Sequence, residues 1–227
     1  MHGLEPRFTA SKTVVLPLHH TTMWPKKIIS VDPGVANFAV VELEGREVVN
    51  ATNSRVGHKT DSWSTLLDNL QGVLGTRKVL LPDEVVVEDN MFGMKHTVPH
   101  NAFIQAATGG YFSPLTRVSF CRPLDKFKPF TTEPKLAVPS ELKGKGKTKA
   151  RSLFIAHQLF ENGYVWCNDP AIRQKFLACD HLADALLQAF TVEGLSLLAQ
   201  PESSSDEDLP ASKPLPPPSS SQSAPTL

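Results

Sequence analysis

Apolar residues along this chain switch between two spacings, and the switches mark out the elements. Lys27 to Asp32 is a short apolar run closed by Asp-Pro-Gly, the pattern of a buried strand entering a turn. Asn37 to Leu43 and Glu47 to Ala51 read as two further strands, with Glu44-Gly45 in the turn between them. The spacing then changes. After Asp61 or Ser62, either able to cap a helix, Trp63, Leu66, Leu67, Leu70, Val73 and Leu74 keep one helical face apolar.

Pro82-Asp83 interrupts the chain before Glu84-Val85-Val86-Val87-Glu88, a buried strand bounded by acids. A helix is expected from Pro99 to Thr108, stopping at Gly109-Gly110, and a fifth strand from Val118 to Cys121. Ala150, Leu153, Phe154, His157 and Phe160 form a helical stripe ending at Gly163. A last helix begins near Asp180 and carries Leu182, Leu186, Leu187 and Phe190. Three meandering strands followed by alternating helices and strands define an α/β domain on a mixed sheet.

Neither end continues the pattern. Residues 1–25 lack periodicity and read as a flexible leader, and residues 26–199 hold the domain. Residues 200–227 read as a disordered tail, because Pro, Ser and acids dominate them and too little apolar surface is present to offset ordering entropy. The leader lacks the apolar run of a secretory signal, and the longest charge-free stretch, His96 to Thr116, is too polar to span a membrane. Cys121, Cys167 and Cys179 have no paired spacing, so a reducing intracellular compartment is expected, without an address more specific than that.

Composition alters the picture only once it is located. The 23 Lys+Arg and 23 Asp+Glu cancel over 227 residues, which taken alone argues against a nucleic-acid binder. Yet Arg117 to Arg151 holds Arg117, Arg122, Lys126, Lys128, Lys135, Lys143, Lys145, Lys147, Lys149 and Arg151 against only Asp125, Glu133 and Glu141. That band is a candidate phosphate-binding surface. Its densest part, Lys143 to Arg151, alternates bases with small residues before a helix, and glycine there lets backbone approach a phosphate. Phe92, Phe127 and Phe130 lie near the charged motifs, to stack on bases or to fill the core.

Acids end the core elements. Asp32 and Glu88 each close an apolar strand, and Asp180, His181 and Asp184 share one helical face by their spacing of three and four. Oxygen ligands gathered this way suit Mg²⁺ or Mn²⁺ rather than zinc. Each residue also has a plainer role: Asp32 as a turn former before Pro-Gly, Asp180 as a helix cap.

The order of these motifs resembles the Holliday-junction resolvases of the ribonuclease H-like superfamily, RuvC-like and most like the branch holding poxvirus and yeast mitochondrial resolvases. Ile29-Ser30-Val31-Asp32-Pro33-Gly34 with Asn37 is similar to the family's opening motif. Val86-Val87-Glu88-Asp89-Asn90 resembles its second-acid strand, and Asp180-His181-Leu182-Ala183-Asp184-Ala185-Leu186 its acidic helix. The similarity spans roughly residues 27–190. His181 stands where most relatives carry an acid, although some bacterial members have His.

The resemblance implies a five-stranded mixed sheet flanked by helices, and a homodimer, since a four-way junction needs two symmetric cuts. It implies a metal-dependent endonuclease holding two Mg²⁺ ions, or Mn²⁺, about 3.5–4 Å apart. Asp32 would bridge the pair and Glu88 would hold one ion. Asp184 would hold the other with Asp180 or His181, both of which stay open. One of Lys143, Lys145 and Lys147, with Lys147 the first choice, would touch the scissile phosphate, and Lys143, Lys145, Lys147, Lys149 and Arg151 would bind DNA. The alternatives are a related nuclease cutting RNA–DNA hybrids or single strands, and a junction-binding protein that does not cut.

Overall fold

The computed structural model describes residues 26–75, 77, 81–89, 99–112, 116–143 and 146–192. The expected leader, the tail, Phe92 and Lys145 lie outside these residues. Five strands form one mixed sheet: β1 (Lys27–Asp32), β2 (Phe38–Glu44), β3 (Glu47–Ser54), β4 (Glu84–Glu88) and β5 (Arg117–Cys121), in the order β3-β2-β1-β4-β5. β1 is central, antiparallel to β2 and parallel to β4, and β4 is parallel to β5. The fold class expected from the sequence is therefore observed.

Strand parity divides the core. Ile29, Val31, Val40, Val85 and Val87 face one layer, where α1 (Trp63–Leu74) and α2 (Pro99–Phe112) contribute Leu66, Leu70, Ile104 and Phe112. Ile28, Ala39, Val41 and Val86 face the other, with α3 (Thr148–Glu161), α4 (Pro170–Ala178) and α5 (Asp180–Ala189). Side chains of a strand alternate faces, so Asp32 follows Ile28 and Ser30, and Glu88 follows Val86, onto the α5 side. Ser30 is fully buried there. The register pairs Val31 with Val87, which leaves Asp32 and Glu88 as neighbours one step further on, at the carboxyl ends of two parallel strands.

Three details differ from the sequence reading. α2 runs through Gly109-Gly110 to Phe112. Gly109 serves packing rather than termination, because a Cβ there would lie 3.1 Å from Phe120 Cζ. The buried stripe of α3 is Ser152, Ile155, Ala156 and Leu159, rotated from the expected one, and His157 is exposed. α4 has no counterpart among the expected elements. It buries only Ile172 and Phe176, so its apolar periodicity is faint, although Asp169 caps it and Pro170 opens it.

Candidate metal centre

The strand ends and α5 meet at a cleft of about 690 Å³, lined among others by Asp32, Glu88, Asp180, His181, Asp184 and Lys149. Asp32, Glu88 and Asp184 each present a carboxylate oxygen, all within 4.8 Å of one another. They come from three separate elements. The turn after Asp32 is tight enough to demand glycine, since a Cβ on Gly34 would lie 2.6 Å from the Asn37 carbonyl oxygen.

At this spacing each carboxylate pair repels by on the order of 3 kcal/mol at an effective dielectric of about 20. Burial, and then the nearby Asp32 carboxylate, push the Glu88 carboxyl up to about 7. Burial also raises Asp184. Both shifts survive a lysine in the cluster: Lys126, itself buried, places Nζ 2.8 Å from Asp184 Oδ1 and 3.4 Å from Glu88 Oε2. Desolvation pulls the Lys126 ammonium down, but Glu88 and Asp184 outweigh it and hold its pKa above the ordinary value. One ammonium does not neutralise three carboxylates. A cluster of hard oxygen donors left short of positive charge fits a divalent cation such as Mg²⁺.

The remaining predicted residues separate by role. His181 Nδ1 lies 2.8 Å from Asp32 Oδ2, and that hydrogen bond is the main reason its imidazole pKa is raised. Asp180 lines the same cleft but is held by Lys149, whose Nζ is 2.7 Å from Asp180 Oδ2. Burial pushes the Asp180 carboxyl up, yet Lys149 and His181 together bring it below the ordinary range. Within the basic band, Lys143 and Lys147 are exposed, and the Arg151 guanidinium stacks 4.0 Å from the Phe127 ring centroid. Phe127 and Phe130 are both core residues.

Lys126 escaped the sequence reading. It was one of ten bases in the band, and no spacing sets it apart. Its burial follows from a 3₁₀ turn, Asp125–Phe130, in which Phe127 and Phe130 anchor the segment and carry the lysine just before Phe127 inward. Gln188 adds a side-chain amide donor to Glu88 Oε2 from one turn beyond Asp184. The polar neighbour expected after Glu88 is Asp89, which is buried and accepts from Gln105 Nε2 at 3.1 Å.

A five-stranded mixed sheet in this order, flanked by helices, has the ribonuclease H-like fold. Among solved structures, the chain is similar to the yeast mitochondrial Holliday junction resolvase at a TM-score of 0.52 and 12% identity, over 73% of this chain and 78% of that one. Weaker overlaps are found with Thermus thermophilus RuvC bound to a Holliday junction substrate (TM-score 0.47, 13% identity, 73% and 91% coverage). The same holds for fowlpox virus resolvase with its Holliday junction DNA (TM-score 0.45, 17% identity, 73% and 95% coverage). No protein-family model matches the chain, and neither does any curated protein sequence.

Proposed function

We propose that this chain is a structure-selective endodeoxyribonuclease that resolves four-way DNA junctions by metal-dependent phosphodiester hydrolysis, acting as a homodimer. The observation that carries the proposal is the convergence of Asp32, Glu88 and Asp184 within 4.8 Å in one cleft. The fold shared with a yeast mitochondrial resolvase supports the choice of substrate.

Asp32, Glu88 and Asp184 would hold two Mg²⁺ ions. Bound cations supply an activated water and neutralise charge on the leaving 3′-oxygen. The chain's own groups do the rest. His181 fixes the orientation of Asp32 through its hydrogen bond. Lys126 limits repulsion among the acids and keeps Glu88 and Asp184 pointing to one place. Lys149 sits at the cleft wall, where it can exchange Asp180 for a phosphate oxygen. The products are a 5′-phosphate and a 3′-hydroxyl.

One feature favours a second reading, a junction binder that does not cut: Lys126 already occupies the acidic cluster with a positive charge. The test is cleavage of an immobile four-way junction, a plain duplex and an RNA–DNA hybrid, in Mg²⁺ and in Mn²⁺, by wild type and Asp32→Asn. Paired nicks in the junction, abolished by Asp32→Asn, are expected. Cutting of the hybrid alone sinks the junction reading, and binding without metal-dependent nicking establishes the second.

A further inference from the structure

The cleft has a second wall of basic side chains, outside the basic band. Arg55, His58 and Lys59, from the connection between β3 and α1, line the same cleft as Asp32 and Asp184. All three are exposed, and among the described residues none of their side chains pairs with a carboxylate. Lys149, by contrast, is engaged by Asp180.

This wall is rigidly tied to the acids. The Val35 carbonyl, three residues beyond Asp32, accepts from Val56 N at 2.9 Å and Gly57 N at 3.1 Å. Asn69 Nδ2 donates to the Val56 carbonyl at 2.9 Å, and Val56 is fully buried. Asp61 accepts from the His58 backbone N–H at 2.8 Å, so its carboxylate serves the turn rather than the bases. Gly57 has no room for a side chain, since a Cβ would meet Asp61 Oδ2 and Leu66 Cδ2, each at 2.6 Å. The guanidinium of Arg55 lies against the His58 ring, with Nη1 3.3 Å from Nδ1.

An approaching phosphodiester faces Asp32, Glu88, Asp180 and Asp184, an acidic floor that repels it. Cations on a turn whose backbone is hydrogen-bonded to the segment after Asp32 counter that repulsion. We propose that the Arg55–Lys59 turn is a second phosphate-binding element, holding the DNA backbone beside the cleaved phosphate. This rests on the nucleic-acid reading above and adds to it the part of the site that positions the strand.

The test measures binding of an immobile four-way junction in Ca²⁺ across a salt series, for wild type, Arg55→Gln/Lys59→Gln and the charge-preserving Arg55→Lys/Lys59→Arg. Each phosphate contact contributes about 0.9 to the slope of log affinity against log salt. The neutral double variant should lose between about 1 and 2 of that slope. Its thermal unfolding should stay unchanged, and the charge-preserving variant should keep the parental slope. A parental slope in the neutral variant, with wild type binding normally, overturns this inference and leaves the nuclease reading standing. Failure of wild type to bind any junction overturns both.

Discussion

His181 Nδ1 and Asp32 Oδ2, separated by 149 positions in the sequence, are 2.8 Å apart, so the first turn of α5 is fastened to the end of the central strand. The contact uses one ring nitrogen to orient the acid most central to the site. Its partner is already an acceptor, which fixes the proton on Nδ1 whenever Asp32 is ionised.

His181→Ala therefore should lower metal affinity and junction cleavage by about 10–100-fold, the usual loss when a group orienting a ligand is removed. Fold stability should change little by comparison. Titrating Mg²⁺ against cleavage rate separates the effects: higher Mg²⁺ should recover much of the rate, whereas an unaltered metal requirement counts against the orienting role.

Removing Lys126 should be costly without metal. Lys126→Met leaves buried acids without their ammonium and is expected to destabilise the metal-free protein by about 3 kcal/mol. Thermal melts with and without Mg²⁺ provide the check. Mg²⁺ should raise the melting temperature of Lys126→Met more than that of wild type. Equal increments would mean the lysine and the cation do not serve the same charge.

The Glu88 carboxyl, pushed up to about 7 from an ordinary 4.5, makes a signed prediction. A raised carboxyl binds its proton more tightly in the folded state, so its contribution to stability is full below about pH 4.5. That contribution is lost as pH rises through about 7. Metal-free protein should accordingly lose stability between those values, and Glu88→Gln should flatten the trend. Denaturant midpoints measured across that window decide it.

The turn after Asp32 offers a structural test. Gly34→Ala places a Cβ 2.6 Å from the Asn37 backbone oxygen, which cannot rotate away. A loss of about 1–3 kcal/mol is expected, the range for overpacking. Cleavage should fall beyond what the stability loss explains, because Asp32 moves with the turn. Wild-type rate and stability would contradict the tightness of this turn.

The sheet and the acids were legible in the sequence for a common reason. Runs such as Ile28–Val31 and Val85–Val87 are apolar on both faces, which only a buried strand tolerates, and Asp32 and Glu88 stand out because they end such runs. α5 was visible through its strong apolar stripe, which also carried Asp184. What stayed hidden depends on packing between distant segments. Gly109 reads as a stop until Phe120 is seen beside it, and Lys126 reads as one base among ten until Phe127 and Phe130 bury their turn. The ambiguity between Asp180 and His181 had the same origin. Spacing placed both on the right face, whereas only the approach of Lys149 and Asp32 separated their partners.

The three clustered acids lie at positions 32, 88 and 184, the last of them on the final described helix. During synthesis, the sheet strands β1 to β5 emerge well before Asp184 does. The acidic pocket consequently has no existence in a nascent or prematurely ended chain that lacks α5. Local unfolding that releases α5 from the sheet dismantles it again, taking Asp184 and the His181 tether away together. A cluster assembled this way is missing from every copy of the protein that ends before α5.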